Sequence, residues 1–388
     1  MNVLHAFIFF SIRFAGGTSD LMFKLAKAQV KHGLKPFIYS GNYKFDYDLA
    51  QSLEGTTFRV CKSWFDKIGF SLMPNLKNLL KEDLHKIDIV HMHVFRTYQN
   101  IILYYFCIKN NIPYVMDAHG AVPYYKNKNL LKKLFDKIWG KSILNNASYL
   151  IAETQVGVNE YLSIFPKLNK DRIVIISPPF DTDEFDFIPS KGSFRKKYNI
   201  SSDKKLIMFL GRVHHIKGND FLIDGFHKLC QQRDDCILAI VGSDDGHMDD
   251  CTRQVEDLKL NNKVIFTGFI GGNDKNSALV DADIVAQMSR QEQGAWAPFE
   301  AVLCETPIIV TEDTGAGEDV KRVDAGETVL FGDVNSLSDK LNDILENYDN
   351  AISKTLSAKQ YIVTKMSMNA RVHEYTDLYK MAINECVS

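Results

Sequence analysis

The 388-residue sequence predicts an α/β protein of two doubly wound, parallel-sheet domains. Three observations carry that expectation. Short apolar runs alternate with amphipathic stretches from end to end. A Pro- and Asp-rich segment interrupts the alternation once, near the middle. The length suffices for two cores of ordinary size.

In the first series the candidate strands are 2–10, 35–40, 88–93, 113–119, 148–153 and 172–177. Between the first two, 18–33 has a Thr/Ser start, apolar residues at helical spacing and a terminal Gly33, the marks of a helix. Segment 178–200 contains three Pro, many Asp and no sustained period, and reads as the interdomain connection. A second series follows with strands at 205–211, 237–243, 263–269, 283–289, 307–312 and 328–333. The last stretch, 354–385, is helical in pattern, breaks near Ser367 and has no strand after it. The expected domains are therefore 1–178 and 179–369, with the helix at about 370–388 packing back onto the first. Open α/β sheets bind ligands outside the carboxyl ends of their strands, so functional residues are sought there.

Composition is globular, 45% hydrophobic and 24% charged, with a net charge of −2. The charge is uneven: residues 1–185 carry 23 Lys/Arg against 16 Asp/Glu, and the rest is correspondingly acidic. The first half is thus suited to an anionic partner, and on charge alone membrane phosphate or an anionic acceptor fits as well as nucleic acid does. No recognised nucleic-acid module appears, and the basic excess is too modest to make nucleic acid the expected partner. Seven scattered Cys with no CxxC pair point to reduced structural thiols and a cytoplasmic setting, and against a zinc site. The apolar start 2–10 lacks the basic flank of a signal peptide. No run reaches the roughly 20 apolar residues of a membrane span.

The chemistry concentrates in the second series. Gly211 lets the chain turn at a strand end, and Arg212 and Lys217 lie in the loop that follows. Two cations beside a helix start suit a diphosphate, although this loop alone reads equally well as two solvated surface charges. The segment 292-EQGAWAPFE-300 follows another strand. Gly294 keeps the chain out of a helix, and Pro298 suits a first helical position. Glu300 then falls in the first turn, where a carboxylate can accept two ribose hydroxyls or serve as a dipole-favoured charge.

The two Glu, the Gly and Pro between them, the following 301-AVLCETPIIVT-311 and the upstream 211-GRVHHIKG-218 resemble retaining glycosyltransferase family 4, of the GT-B fold. So do 16-GGTSDLMFKLAKAQVKHG-33 and 148-SYLIAETQVGVNEYL-162, in the same order along the chain. The resemblance implies two Rossmann-like domains facing a cleft, with Gly16 and Gly17 covering the donor diphosphate. It implies that Arg212 and Lys217 bind that diphosphate, and that Glu300 takes the ribose. Glu292 and His119 would act at the reacting sugar, with the backbone of Gly294, Ala295 and Trp296 on its hydroxyls. Gly294-Ala295 stands where the family has Phe-Gly, and Trp296, Glu305 and Pro178-Pro179 also depart from its pattern. The first two departures fall where the sugar would rest.

The implied reaction is metal-independent transfer, with retention, of a hexose or N-acetylhexosamine from a nucleotide-diphosphate sugar. UDP-sugar is the favoured donor and GDP-mannose the alternative. The donor is a substrate, so no cofactor is expected, and the acceptor is a glycan or lipid-linked saccharide. The Asp-x-Asp at 181–183 reads as linker rather than metal site. His91 and His93 read as core-shaping, and His214 and His215 as loop polarity. The basic amphipathic stretch 124–141, with six Lys against one Asp, is a candidate membrane-docking helix at the inner face, with packing onto the sheet as the alternative. Two other functions stay open on sequence: a nucleotide-sugar epimerase on the same fold, and an inactive partner subunit.

Overall fold

The computed structural model describes residues 1–11, 17–64, 71–124, 129–177 and 179–387. The chain divides into two compact units, Met1–Pro179 with Met368–Ser388, and Phe180–Ser367. Each is built on a parallel sheet.

The first sheet has seven strands: β1 (Asn2–Phe9), β2 (Lys35–Gly41), β3 (Thr57–Cys61), β4 (Ile89–His93), β5 (Tyr114–Asp117), β6 (Tyr149–Ala152) and β7 (Ile173–Ile175). Their spatial order is β3-β2-β1-β4-β5-β6-β7. Alternation along the strands sorts the side chains by face. Leu4, Ala6, Val90, Met92, Tyr114 and Met116 enter a large apolar cluster with Leu76, Leu80 and Leu103. The opposite face packs under the helices Gly17–Lys31 and Met368–Val387, the second of which contacts β4 and β5.

The second sheet repeats the plan with six strands: β8 (Lys205–Leu210), β9 (Cys236–Val241), β10 (Val264–Gly268), β11 (Ile284–Gln287), β12 (Ile308–Thr311) and β13 (Glu327–Val329). The order is β10-β9-β8-β11-β12-β13. Both sheets therefore reverse direction of winding beside their first strand, between β1 and β4 and between β8 and β11. Apolar layers cover both faces of this sheet, around Met208, Val285 and Phe299 on one side and Phe209, Phe226 and Ile284 on the other.

The structure corrects two sequence expectations. Strand β3 went unrecognised: it is a five-residue edge with one fully buried position. Segment 178–200 is not a free connection. Residue 178 lies outside the described residues, but from Phe180 onward the chain packs on the second sheet, burying Phe180, Phe185 and Phe194. The Asp-x-Asp falls at the single turn Thr182–Phe185 within that packed segment. The terminal helical stretch breaks where the sequence places it: it is two helices, Tyr348–Lys365 and Met368–Val387, with the break spanning Met366 and Ser367.

A buried carboxylate ties the edge strand down. Asp83 receives Arg59 of β3 at 2.7 and 2.9 Å, Lys86 at 2.9 Å and the Tyr39 hydroxyl of β2 at 2.7 Å. The Arg59 guanidinium foremost, then Tyr39 and Lys86, hold its carboxyl well below the usual carboxylate range, against the opposing effect of burial. Such a group stabilises the folded state at pH values above its unfolded pKa of about 4, and that stability is lost as the pH falls towards its folded value. Asp83→Asn is expected to cost about 2 kcal/mol at neutral pH, because both cations remain partly solvated. It should also flatten the acid limb of the stability profile, as read by urea unfolding between neutral and acid pH.

Candidate functional site

The second unit brings two loops together at its switch point. After β8 the chain turns through His215–Lys217 and leaves that turn at Gly218, with φ +63°. A Cβ on Gly218 would stand 1.8 Å from the carbonyl oxygen of Met288, so only glycine lets this loop abut the end of β11. Arg290 staples the contact. Its N–H donates to the Ile216 oxygen at 2.8 Å and its guanidinium to the His215 oxygen at 2.7 Å. The same guanidinium reaches both oxygens of Asp220, at 2.8 and 2.5 Å, and lies 4.6 Å from the Phe331 ring centre.

Within that junction Lys217 forms an ion pair with Glu292, whose side chain is 14% exposed. The same Glu292 oxygen, Oε1, accepts from Ser289 Oγ at 2.9 Å and from Gln287 Nε2. Three donors thus converge on one carboxylate oxygen. The Gly315 N–H fixes the backbone by donating to the Glu292 carbonyl at 2.8 Å. The helix after this loop is Trp296–Leu303. Pro298 is its third residue rather than its first, still in the turn whose N–H groups lack helical partners. Glu300 sits one residue beyond that turn and pairs with Lys275 at 2.7 Å.

The remaining predicted residues are placed as follows. Arg212 is 64% exposed and pairs with Asp245, apart from the Lys217–Glu292 pair. The Ala295 N–H donates to the buried Asp319 carboxylate at 3.2 Å, and Trp296 packs on Phe180 with ring centres 5.6 Å apart. Gly17 is the first residue of the helix Gly17–Lys31, whereas Gly16 lies outside the described residues. His214 caps its own turn by accepting from the Ile216 N–H at 3.2 Å.

His119 occupies the carboxyl end of β5 with φ +46°. Its Nδ1 lies 3.3 Å from Asp117 Oδ1 and 3.7 Å from Glu153 Oε1, and its Nε2 is 3.0 Å from His93 Nδ1. Burial opposes charge on this ring, yet the two carboxylates raise its pKa above the ordinary histidine value. His93 leads on to His5 at 3.0 Å, and His91 lies beside them, all buried. Sequence reasoning passed over His5, Asp117 and Glu153. The signal was present in two histidines at alternate positions of one buried strand, which must share a face.

His5, His91 and His93 are close enough together to be considered as metal ligands. The ring geometry speaks against it. The rings of His91 and His93 overlap, 3.9 Å between centres and 32° apart in plane, so their in-plane lone pairs do not converge on one ion.

Residues 15–184 match the model of Glycosyltransferase Family 4, and residues 190–360 that of Glycosyl transferases group 1. A putative glycosyltransferase of Bacillus subtilis, YtcC, is 28% identical over 310 residues, covering 76% of this chain and 71% of its own length. An uncharacterized glycosyltransferase of Methanocaldococcus jannaschii, MJ1607, is 26% identical over 306 residues, covering 77% of this chain and 76% of its own. Among solved structures, Anabaena HepE in complex with UDP and glucose is similar with a TM-score of 0.78 at 18% identity, over 98% of this chain and 99% of that one. That likeness shows the fold, the GT-B arrangement of two Rossmann-like sheets.

The close approach at Gly218 makes a direct prediction. Gly218→Ala should lower unfolding stability by about 2 kcal/mol or more, since a backbone carbonyl must move. Gly246→Ala, also at positive φ but with open space around its Cβ position, should cost only about 1 kcal/mol. Denaturant unfolding of the two variants makes the comparison, and equal losses would contradict the packing argument.

Proposed function

We propose a specific reaction for this chain, which belongs to glycosyltransferase family 4: metal-independent transfer, with retention, of a hexose or N-acetylhexosamine from a UDP-sugar to a glycan or lipid-linked saccharide. As a group 1 glycosyltransferase it acts on nucleotide sugars. The observation that carries the finer reading is the Lys217–Glu292 pair at the β8/β11 switch point, with Glu300 on the helix that follows.

The pair supplies what this chemistry needs. Departure of a nucleoside diphosphate develops negative charge that a fixed cation must meet. Lys217, anchored by the Gly218 turn, is that cation, and Arg212 is a second. Its exposed pair with Asp245 is weak enough to be exchanged for phosphate. Glu292, with Oε1 occupied by Lys217, Ser289 and Gln287, turns Oε2 to the donor sugar. Glu300 exchanges Lys275 for the ribose hydroxyls. The acceptor hydroxyl attacks the anomeric carbon on the face the diphosphate leaves. The C–O bond to phosphate breaks, and a departing phosphate oxygen takes the hydroxyl proton, so no separate base is required. His119 contacts the donor sugar in this reading, as the family resemblance implies. UDP is favoured because the similar HepE fold is seen with UDP and glucose.

Acceptor delivery at the inner face of a membrane is the second part of the reading. Residues 125–128 lie outside the described residues, but the helical stretch from Asn129 to Gly140 is described. Leu130, Leu131, Leu134 and Ile138 are 81%, 65%, 51% and 50% exposed, an apolar row flanked by Lys132, Lys133 and Lys137. A solvated apolar row beside lysines suits an anionic bilayer. No described helix is long and apolar enough to cross a membrane.

Two experiments test these proposals. With UDP-glucose or UDP-N-acetylglucosamine and a glycan acceptor, EDTA should leave turnover unchanged. Lys217→Ala should lower kcat/KM at least about a hundredfold, and loss of activity in EDTA that magnesium restores would overturn the metal-free mechanism. In vesicle co-sedimentation, replacing Lys132, Lys133 and Lys137 by Glu should abolish binding to anionic vesicles while neutral vesicles bind neither form. Unchanged binding would sink the docking proposal.

A further inference from the structure

On the face of the first sheet opposite Leu4, Ala6, Val90 and Met92, His5, His91 and His93 stand where a doubly wound sheet ordinarily buries aliphatic side chains. Their partners form a continuous chain. Gln29 Oε1, on the helix Gly17–Lys31, lies 3.1 Å from His5 Nε2. His5 Nδ1 lies 3.0 Å from His93 Nε2, and His93 Nδ1 lies 3.0 Å from His119 Nε2. His119 Nδ1 faces Asp117 and Glu153.

Proton counting gives this chain a direction. A neutral imidazole donates from one nitrogen and accepts at the other. The Gln29 oxygen only accepts, so His5 donates from Nε2 and accepts at Nδ1. His93 must then donate from Nε2 and accept at Nδ1, which obliges His119 to donate from Nε2. Its Nδ1 meets carboxylates, which when ionised only accept, so it donates there as well. We infer that Gln29, His5 and His93 are positioning residues that act as one hydrogen-bond chain to hold His119 doubly protonated, with both N–H groups directed inside the first unit.

The alternative state differs by one proton. If His119 keeps only the proton on Nδ1, its Nε2 must accept. His93 and His5 then exchange tautomers, and the Gln29 amide turns over to present its NH2 to His5. The proton removed from the row goes to solvent. The Gln29 amide also meets Tyr379 of the helix Met368–Val387, whose hydroxyl can accept from the amide in one orientation and donate to it in the other. Gln29 Nε2 lies 3.4 Å from the Tyr379 hydroxyl, which lies 2.8 Å from His91 Nδ1. A change at Gln29, three hydrogen bonds away, therefore alters the proton on His119.

Among the described residues the charged and titratable groups around the row include Arg371, which acts on Tyr375 from the terminal helix. The others are Asp117 on β5, Glu153 after β6, Tyr161 of the helix Gln155–Ile164, and Tyr375 and Tyr379 of the terminal helix. Burial lowers the pKa values of His5, His91 and His93 and keeps them neutral, while the carboxylates raise that of His119, in keeping with the counted state.

The test is nitrogen-15 NMR of the ring nitrogens in the full chain, with Gln29→Leu as the variant. At neutral pH both His119 nitrogens should be protonated in the unaltered protein. In Gln29→Leu the His119 midpoint should fall by about one pH unit or more, as one lost charge-stabilising partner requires. If that variant does not fold, His93→Phe replaces it with the same expectation. A bare His119 nitrogen in the unaltered protein, or an unmoved midpoint in the folded variant, overturns the inference. The activity arm rests on the proposed reaction: the alkaline limb of kcat should move down in pH with the midpoint. A midpoint that moves without the limb upholds the chain and contradicts the role given to His119 on the donor.

Discussion

Lys217 and Glu292 meet because β8 and β11 are neighbours in space and not in sequence. Doubly wound sheets place a crevice where the winding reverses, and here the two loops leaving the reversal carry one cation and one carboxylate. Their contact depends on a backbone approach that excludes any side chain at Gly218 and on a guanidinium, Arg290, that bonds the backbone of the opposing loop. The pair is partly buried, and the backbone contacts of Gly218 and Arg290 place it without any ligand. Preorganisation of this kind is what electrostatic catalysis of diphosphate departure requires.

Much of this was legible in the sequence, for physical reasons. Strands of a parallel sheet covered on both faces are nearly continuous apolar runs, which made β8, β9 and β11 visible. The edge strand β3 was not, because Arg59 and Thr57 interrupt it and its hold on the sheet comes from Asp83, distant in sequence. Segment 178–200 looked like a linker because Phe180, Phe185 and Phe194 have no regular period. Burial there follows two short turns, Thr182–Phe185 and Ser193–Lys197, each too brief to show a period. At the site, Glu292, Lys217 and Glu300 stood out by type and spacing. Their supporting partners Gln287, Ser289, Lys275 and Arg290 did not, since single polar residues declare no partner until the fold supplies one.

The first unit adds a different constraint. A sheet face that could have been aliphatic instead carries imidazoles, with orphaned hydrogen-bonding capacity at His91 Nε2. Unsatisfied buried polarity is destabilising, so this face gives up stability that an apolar layer would provide. The carboxylates at its end, Asp117 and Glu153, raise the His119 pKa against the opposing effect of burial.

The central claim is that Lys217 serves the diphosphate. Calorimetric titration of UDP and UMP into the unaltered chain and into Lys217→Ala tests it most directly. UDP affinity should fall at least about tenfold in the variant, as loss of a charged phosphate partner implies, with UMP affinity nearly unchanged. Equal losses for both nucleotides, or none for UDP, would contradict the account.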